Sequence, residues 1–417
     1  MILRARAIWA HKGLLIEDGA VRIQGSRITE VGKRSKLPPN KGESMVDFGD
    51  SIMFPAFINA HCHLDYTGIS GKLSHVGSFT EWLEQIISLK KSLTIDDYRK
   101  AWLRGADMLI KSGCGTVANI ESVPGLFAQV AQCTSLQVCP FTEIIAYLDN
   151  EIIDIVKLIN RELMVNKPLA LKVGISPHAP YTTTSEVLRV LTRVANEKSI
   201  PTAIHLAESD EEWEMFSEGT GRLYDVMHSL GRTMDDCGRC SPVQHLANSN
   251  GFSNKSLVVH ANRLHSSDVA TISTRGVSVV HCPVSHAWFS RDDFDCNRLA
   301  KAGINIALGT DSLASAGSSG DRTELSMFSE MQQFHIENTN RKKEDILQMA
   351  TENGAKALGM EGELGQIKND FIANIAALPF SGNMQQVFDA ILYHQGPVGM
   401  LLIEGKCAFS GPNAVAG

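Results

Sequence analysis

The chain has 417 residues, of which 43% are hydrophobic and 20% charged, a composition typical of a globular protein and not of a disordered one. Its net charge is −7, from 39 lysines and arginines against 46 aspartates and glutamates, without a long run of like charge. This balance disfavours nucleic acid and anionic membranes as partners. No apolar stretch reaches the roughly 18 residues of a membrane span.

Both ends of the chain predict short strands. Near the N-terminus they cover residues 5–9, 13–17, 20–24 and 28–31. Near the C-terminus they cover residues 372–378, 386–393 and 399–403. Two β-rich ends around a different middle predict one small β domain built from both termini, with domain bounds at residues 1–53 and 365–417.

The middle of the chain, residues 54–364, alternates between apolar runs of strand length and stretches of helical periodicity. The runs cover residues 53–60, 116–120, 138–145, 169–176, 202–204, 257–259, 277–280 and 304–308. Because these runs are continuous and do not alternate with polar residues, they indicate strands buried on both faces, as in a parallel sheet.

The stretches between the runs predict helices. Residues 78–93 open with Ser78 and Glu81, which have the spacing of a capping box, and continue with an apolar stripe on one face. Residues 186–195 and 343–358 have the same periodicity. Eight strand–helix units predict an α/β fold of the (β/α)₈ barrel type, with a doubly wound open sheet as the alternative.

Histidine or a carboxylate stands at the end of most of the apolar runs. The residues are His61, His63, His178, His205, Glu208, His260, His281 and Asp311. In a barrel the carboxyl ends of all strands meet on one face, and that face carries the chemistry. One such histidine alone would be a buried structural residue, but the repetition at successive strand ends predicts an active site.

Four of these residues have the chemistry of metal ligands. His61 and His63 alternate along an extended strand end, so both side chains point the same way. With His205 as a third nitrogen and Asp311 as an oxygen, the set suits zinc, while iron and manganese remain alternatives. With an open position for water, such an ion lowers the pKa of the water to about 7 and supplies hydroxide at neutral pH.

The remaining polar residues predict the catalytic groups. Glu208 lies three residues after His205 and is placed to transfer protons. His260 can orient the group under attack, and His281 is equally well explained as a support behind the ligands. For each of these residues the alternative is a buried polar side chain that is hydrogen-bonded within the barrel.

The cysteines indicate a reduced, cytoplasmic protein. There are nine of them, an odd number without the spacing of a disulfide framework. Cys237 and Cys240 form one C-x-x-C with His245 nearby, which admits a zinc or redox role. Because no second pair completes four ligands, a pair of loop cysteines is the favoured interpretation.

In combination these motifs resemble the metal-dependent amidohydrolase superfamily, in particular its branch of aminohydrolases and chlorohydrolases. The resemblance covers nearly the whole chain. The motifs lie at residues 54–63, 205–208, 259–262, 281–285, 308–312 and 351–359. The segment 315–321 departs from the family pattern, because it is longer and rich in glycine and serine.

The resemblance implies a barrel with a small β-sandwich made from both termini. It implies one divalent ion per chain, held by His61, His63, His205 and Asp311, since the fourth strand ends in His178 and carries no bridging lysine or glutamate. It also implies that Glu208 shuttles protons and that His260 lies near the attacked carbon. Members of the superfamily often form homodimers, which leaves a homodimer open for this chain.

The function implied is hydrolytic deamination of an amino-substituted purine or adenine nucleoside, such as aminodeoxyfutalosine or S-adenosylhomocysteine. Hydroxide would attack the carbon that bears the amine, Glu208 would protonate the ring nitrogen, and Asp311 would pass the water proton to the leaving ammonia. Predicted substrate contacts are His178, His281, Glu143 and Trp82, with Glu81 as a further candidate. The alternatives are a helix cap for Glu81, a core position for Trp82 and a solvated loop for Glu143.

Two other functions stay open at this point. A chlorohydrolase or cyclic amidase would use the same metal site, although an acid such as Glu208 favours departure of an amine. A scaffold without catalysis would have lost these polar residues, and here all of them are present.

Overall fold

The computed structural model describes residues 1–73, 77–292, 294–316 and 324–411. Its strands form two sheets of eight strands each. The first sheet contains β1 (Ile2–His11), β2 (Leu14–Gln24), β3 (Arg27–Lys33), β4 (Met45–Asp47), β5 (Ser51–Pro55), β14 (Ile375–Pro379), β15 (Met400–Ile403) and β16 (Lys406–Ser410). The second contains β6 (Phe57–Cys62), β7 (Cys114–Glu121), β8 (Gln137–Ile144), β9 (Gly174–Pro177), β10 (Thr202–Leu206), β11 (Ser256–His260), β12 (Ser278–His281) and β13 (Ile306–Leu308).

The second sheet is a parallel barrel in which each strand lies beside the next in chain order. Its first and last strands meet through a parallel bridge between Cys62 and Asp311. Helices follow every strand, so the predicted (β/α)₈ barrel is confirmed and the open sheet is excluded. Each of the eight apolar runs contains or overlaps one strand of this barrel.

Fifteen α-helices lie in the described residues. They are α1 (Phe79–Lys90), α2 (Ile95–Lys111), α3 (Leu126–Val130), α4 (Ile152–Asn166), α5 (Ser185–Lys198), α6 (Asp210–Glu218), α7 (Arg222–Ser229), α8 (Pro242–Asn248), α9 (Ser266–Arg275), α10 (Pro283–Trp288), α11 (Cys296–Lys301), α12 (Met327–Glu337), α13 (Lys343–Met349), α14 (Glu352–Ala357) and α15 (Val387–Leu392). Within the described part of the chain, none of them has the length and apolar character needed to cross a membrane.

The predicted run at residues 53–60 is divided between the two sheets. Met53 and Phe54 belong to β5, whereas β6 begins at Phe57. The amide of Ala56, between the two strands, donates to the carbonyl of Asn374 in the C-terminal part of the chain. Both strands are buried on both faces, so their apolar residues form one uninterrupted run in the sequence.

The first sheet confirms the prediction of a β structure built from both termini. Strand β5 pairs with β1 on one side and with β14 on the other, which joins the two ends of the chain. The predicted strands at 13–17 and 20–24 are one strand, β2, which pairs with β1 along its length. The division into domains at 1–53 plus 365–417 and 54–364 stays a prediction.

Two predictions of secondary structure near the C-terminus were wrong. Residues 386–393 were predicted as a strand but contain α15. Asn383 and Gln386 form a capping box just before this helix, and Val387 and Ile391 bury the same helical face. The helix predicted at 343–358 is two helices, α13 and α14, which are separated at Ala350 and Thr351.

A buried carboxyl group stands at the end of β7. Glu121 Oε1 accepts hydrogen bonds from Trp102 Nε1 at 3.2 Å and from Asn119 Nδ2 at 2.8 Å. Among the described residues its Oε2 has no partner. Burial, together with the charge of Asp65, raises the pKa of Glu121 to about 8 from an ordinary 4.5.

Replacing Glu121 by glutamine is expected to stabilise the protein increasingly as pH rises. The folded state holds the Glu121 proton up to a higher pH than the unfolded chain does, so this group lowers the free energy of unfolding as pH rises from about 4.5 to about 8. Glutamine keeps the oxygen acceptor and removes the titration. Thermal unfolding of both proteins across this range measures the effect, with Glu197→Gln on the surface of α5 as control. A difference in Tm that does not change with pH would contradict the expectation.

Candidate metal centre and active site

The four predicted metal ligands converge at the carboxyl end of the barrel. His61 lies in β6 with His63 directly after it, His205 lies in β10, and Asp311 follows β13. The Nε2 atoms of His61 and His63 lie 3.7 and 3.8 Å from Asp311 Oδ1. The Nε2 atoms of His63 and His205 are 3.2 Å apart. All four side chains are buried, so donors from three strand ends share one small, water-poor volume.

The close approach of β13 to β6 sets the position of Asp311. The His61 carbonyl accepts hydrogen bonds from the amides of Thr310 and Asp311 at 3.0 and 3.2 Å. A Cβ at Gly309 would lie 2.8 Å from that carbonyl oxygen, so only glycine fits there. Asn59 Nδ2 donates to Thr310 Oγ1 at 2.7 Å across 251 positions of sequence, which fixes the two strand ends together.

The hydrogen bonding of His205 fixes the tautomer that a metal ligand needs. Its Nδ1 lies 2.8 Å from the His178 carbonyl oxygen, which can only accept, so Nδ1 carries the proton. The lone pair of Nε2 therefore faces His63. Burial lowers the pKa of His205 to about 4 and holds the pKa of His63 well below its ordinary value. Both imidazoles are neutral at pH 7, which is the form that binds metals.

The unpaired atoms of this cluster fit a bound cation. Within the described residues, both ring nitrogens of His61 and Nδ1 of His63 are buried without a hydrogen-bond partner, a rare state for buried polar atoms. The ligand atoms of His61, His63 and Asp311 lie within 4.8 Å of one another, as do those of His61, His205 and His260. Because zinc–nitrogen distances are about 2.0–2.1 Å, two donor atoms that bind one zinc ion lie a few ångströms apart, as the donor atoms of this cluster do. The donors therefore suit a divalent ion, with His260 at its edge.

The two oxygens of Asp311 have different surroundings. Oδ1 faces His61 and His63, whereas Oδ2 accepts hydrogen bonds from the hydroxyls of Ser285 and Ser315 at 2.7 and 3.1 Å. Burial by itself raises the pKa of Asp311, but the imidazoles, His61 foremost, outweigh it and hold the pKa well below the ordinary value. Asp311 is ionised, with one oxygen fixed and the other free to bind a cation or a proton.

Glu208 and His260 face each other beside the cluster. His260 Nε2 lies 3.7 Å from Glu208 Oε2, and both side chains are buried. Burial raises the pKa of Glu208 to about 8, although the charge of Arg291 opposes the rise. The Glu208 amide donates to Glu212 Oε2 at 2.7 Å, which fixes the backbone there. A carboxyl group that holds its proton near neutral pH can act as a general acid.

Strained backbone marks the same face of the barrel. Ala207, His260, Ala261 and Asp311 have φ between 51° and 72°, the left-handed region that residues with a Cβ disfavour. Each such residue costs roughly 1–3 kcal/mol and persists only where the surrounding structure enforces it. These turns direct the side chains at the ends of β10, β11 and β13 toward one another.

A cavity opens beside the cluster, and α1 forms its apolar wall. The wall residues are Phe79, Trp82, Leu83, Ile86 and Ile87. Three of the predicted substrate contacts, Trp82, His178 and Glu143, line this cavity. Trp82 Nε1 donates to the Ala314 carbonyl at 3.0 Å, and His178 Nδ1 lies 2.7 Å from Thr182 Oγ1. The cavity therefore joins a broad aromatic surface to a few polar groups, which is typical of small-molecule sites.

Two other predicted substrate contacts lie away from the cavity lining. The buried ring of His281 stacks on Phe294 with centroids 3.8 Å apart, and its side chain is not among the residues that line the cavity. Glu81 pairs with Arg222 of α7, while its amide donates to the N-cap residue Ser78. In this placement neither side chain lines the cavity, and their roles in substrate binding stay predictions.

The C-x-x-C motif carries no metal site in the described residues. Burial raises the pKa of the Cys237 thiol to about 12 and also raises that of Cys240. Neither cysteine belongs to a group of side chains placed to hold an ion. His245 lies against Asp236, with 3.6 Å between Nε2 and Oδ2. Both thiols lie in a loop and are protonated at neutral pH.

Sequence reasoning missed several residues around the site. Glu211 accepts hydrogen bonds from the amides of Phe79 and Thr80 at 3.0 and 2.8 Å, and so fixes the first turn of α1 against α6. Lys90 at the end of α1 lines the cavity. Arg291 lies 3.4 Å from Glu208. The acidic start of α6 was the visible signal for Glu211, whereas no local pattern distinguishes Lys90 or Arg291.

Of the segment 315–321, Ser315 and Ala316 are placed and the rest lies outside the described residues.

Comparison with known proteins agrees with this architecture. The model of the amidohydrolase family matches residues 52–402. A 5-methylthioadenosine/S-adenosylhomocysteine deaminase of Pyrococcus furiosus is 29% identical over 372 residues, which cover 88% of this chain and 81% of the relative.

Two solved structures share the fold. Helicobacter pylori aminofutalosine deaminase in complex with methylthio-coformycin has a TM-score of 0.85 at 22% identity, over 97% of this chain and 99% of that one. An atrazine chlorohydrolase of Arthrobacter aurescens complexed with zinc has a TM-score of 0.80 at 15% identity, over 97% and 94%. Because the family model spans most of the sequence, the chain belongs to the amidohydrolase family.

Proposed function

We propose that this chain is a metal-dependent hydrolytic deaminase of an amino-substituted purine or adenine nucleoside. The observation that carries the proposal is the juxtaposition of Glu208 and His260 with the donors of His61, His63, His205 and Asp311 at one end of an aromatic cavity. The deaminases of Pyrococcus furiosus and Helicobacter pylori support the reaction type by their names.

One divalent ion per chain is proposed at the four donors. Three imidazole nitrogens and one carboxylate suit zinc, which the chlorohydrolase neighbour contains, and leave iron and manganese as alternatives. When bound, the ion acidifies a water molecule and so supplies the nucleophile at neutral pH.

The chain's own residues would then move the protons. Glu208, neutral near pH 7, donates to the ring nitrogen next to the attacked carbon. Asp311, which is ionised, accepts the proton that the water loses, while two serines fix the orientation of its carboxylate. His260, whose Nε2 lies 3.7 Å from Glu208 Oε2, stabilises the developing tetrahedral centre. The leaving ammonia takes the proton from Asp311 as the C–N bond breaks, and the hydroxyl of the adduct returns a proton to Glu208 as the carbonyl forms.

The cavity wall supports an aromatic substrate with a hydroxyl-bearing group. Phe79 and Trp82 offer ring faces to a purine, and His178 offers a ring nitrogen. Burial raises the pKa of Glu143 to about 7, although the charge of Lys90 opposes the rise. A half-buried carboxyl in this place can accept hydrogen bonds from a ribose diol. The placement of His281 offers no support for its predicted role in substrate binding.

The proposal is tested by ammonia release from the zinc-loaded protein. The panel contains adenosine, S-adenosylhomocysteine, methylthioadenosine, aminodeoxyfutalosine, guanine and cytosine. Release from at least one adenine nucleoside is expected, and the preferred 5′ group identifies the substrate. No release from any member of the panel, with one ion bound per chain, would contradict deamination.

A chlorohydrolase is the second candidate, because the chain shares its fold with the zinc-complexed chlorohydrolase and its own donors suit zinc. The same protein is therefore assayed for chloride release from a chlorinated triazine. If the protein releases chloride from the triazine and no ammonia from the nucleosides, the chlorohydrolase function replaces the deaminase function.

Replacing Glu143 by glutamine is expected to raise the KM for the nucleoside by roughly 10- to 100-fold, the loss that follows weakening of a hydrogen bond to a charged group. The kcat should change little, because Glu143 lies outside the histidine cluster. The matching control is the 2′,3′-dideoxy nucleoside, on which both proteins should have the same KM. An equal effect of the substitution on both substrates would contradict a diol contact.

A further inference from the structure

The two oxygens of Glu208 have separate partners. Oε2 lies 3.7 Å from His260 Nε2, on the side of the histidine cluster. Oε1 lies 3.4 Å from Arg291 Nη2. A carboxylate that is free to rotate would exchange its oxygens, so a cation on one of them selects the oxygen that faces the reacting molecule.

The guanidinium of Arg291 is itself fixed in place. It lies over two neighbouring aromatic rings, 5.4 Å from the centroid of Phe79 and 4.6 Å from that of Phe289. Only 12% of its side chain is exposed, so these cation–ring contacts and its hydrogen bond to Glu208 Oε1 are weakly screened by water. A planar guanidinium held over two rings is fixed in position more firmly than the flexible ammonium group of a lysine would be.

The backbone before Arg291 is shaped to deliver it there. Helix α10 ends at Trp288, and Ser290 has a φ of 51°, which reverses the chain. The Arg291 amide then returns to the His286 carbonyl at 3.4 Å. A left-handed serine is costly and persists where the surrounding structure enforces it.

Glu208 also separates two cavities. It lines the aromatic cavity described above and a second, polar cavity on its outer side, which contains Arg291 and Arg263. The outer cavity reaches the surface, so small solutes can approach Arg291 without passing the substrate.

We propose that Arg291 is a positioning residue for proton transfer: it holds Oε1 of Glu208 and thereby presents Oε2 to the substrate. This inference rests on the proposed function, in which Glu208 is the proton-transfer group. Arg291 itself lines the outer cavity and not the substrate cavity, so it acts on the transferred proton through Glu208 and not by direct contact with the substrate.

The test compares Arg291→Ala with a matched control, Arg263→Ala. Arg263 lines the same outer cavity, stacks on Trp213 at 5.0 Å and pairs with Asp210, but does not contact Glu208. The kcat of Arg291→Ala is expected to fall by about 10²-fold, the loss that accompanies a misplacement of about 1 Å, with little change in KM. The control should keep the wild-type kcat.

Rescue separates positioning from a structural defect. Millimolar guanidinium should enter the outer cavity of Arg291→Ala and restore part of the lost kcat, because it replaces the missing group, and it should not change the control. An unchanged kcat in Arg291→Ala would overturn the proposal. So would a lowered kcat without rescue.

Crystal structures of the variant with and without guanidinium supply a readout that does not depend on activity. Without guanidinium the Glu208 carboxylate should be rotated or occupy two conformers, and with guanidinium it should regain one. If the wild-type protein deaminates no nucleoside, the proposed function fails. The crystal structures then test by themselves whether Arg291 positions Glu208. An unmoved Glu208 would then overturn the role of Arg291.

Discussion

Replacing Glu208 by glutamine is expected to lower kcat by roughly 10²–10⁴-fold, the usual contribution of general acid–base catalysis. Glutamine has nearly the same shape and can still accept from Arg291, but it has no carboxyl proton to transfer. The KM for the nucleoside should change much less than kcat. Steady-state ammonia release by the zinc-loaded variant measures both constants.

The control for this substitution is Glu214→Gln. Glu214 lies in α6, the helix that begins two residues after Glu208. Its side chain contacts Thr220 and does not line the aromatic cavity. This control should keep the wild-type kcat, and both variants should retain one ion per chain and the wild-type circular dichroism spectrum. A Glu208→Gln protein with normal turnover would contradict the role of Glu208 as proton shuttle.

Replacing His61 by alanine is expected to abolish both metal binding and turnover. His61 is the residue shared by both groups of candidate ligands, so its loss leaves neither group with three donors. Without the ion the water is not acidified, and the loss of rate should exceed that of Glu208→Gln. Metal content by mass spectrometry and ammonia release measure the two effects.

A second variant tests the ligand assignment in case His61→Ala misfolds. His205→Asn removes the other central imidazole and can keep a polar contact to the His178 carbonyl through its amide. Both variants should melt at a lower temperature than the zinc-loaded wild type, because an ion that binds only the folded state stabilises it. His228→Ala, at an exposed histidine of α7, is the control that should retain the ion. A stoichiometric ion in both His61→Ala and His205→Asn would contradict the assigned ligands.

The barrel was predictable from local pattern because its strands are buried on both faces. Burial on both faces produces continuous apolar runs, and each of the eight runs contains or overlaps one strand from β6 to β13. The same uniformity hid the boundary at Ala56, where the chain passes from one sheet to the other. The helix α15 was missed because a short apolar segment fits either periodicity.

The candidate site was predictable to the extent that it depends on strand ends. A residue at the carboxyl end of a barrel strand is brought to one face by the topology, so His61, His63, His205, His260 and Asp311 could be grouped before any distance was known. The topology does not determine the direction in which a side chain at that end points. His281 ends β12 in the same way, yet its ring packs against Phe294.

The sequence by itself determined the class of fold, the family and the kinds of donor atoms at the site, because these follow from periodicity and residue type. The tertiary structure decided which atoms meet. The left-handed turn at Ser290 brings Arg291 to Glu208 across 83 positions, and Gly309 lets β13 approach His61. Contacts of this kind depend on backbone turns and close packing between distant segments, and no local pattern of residues records them.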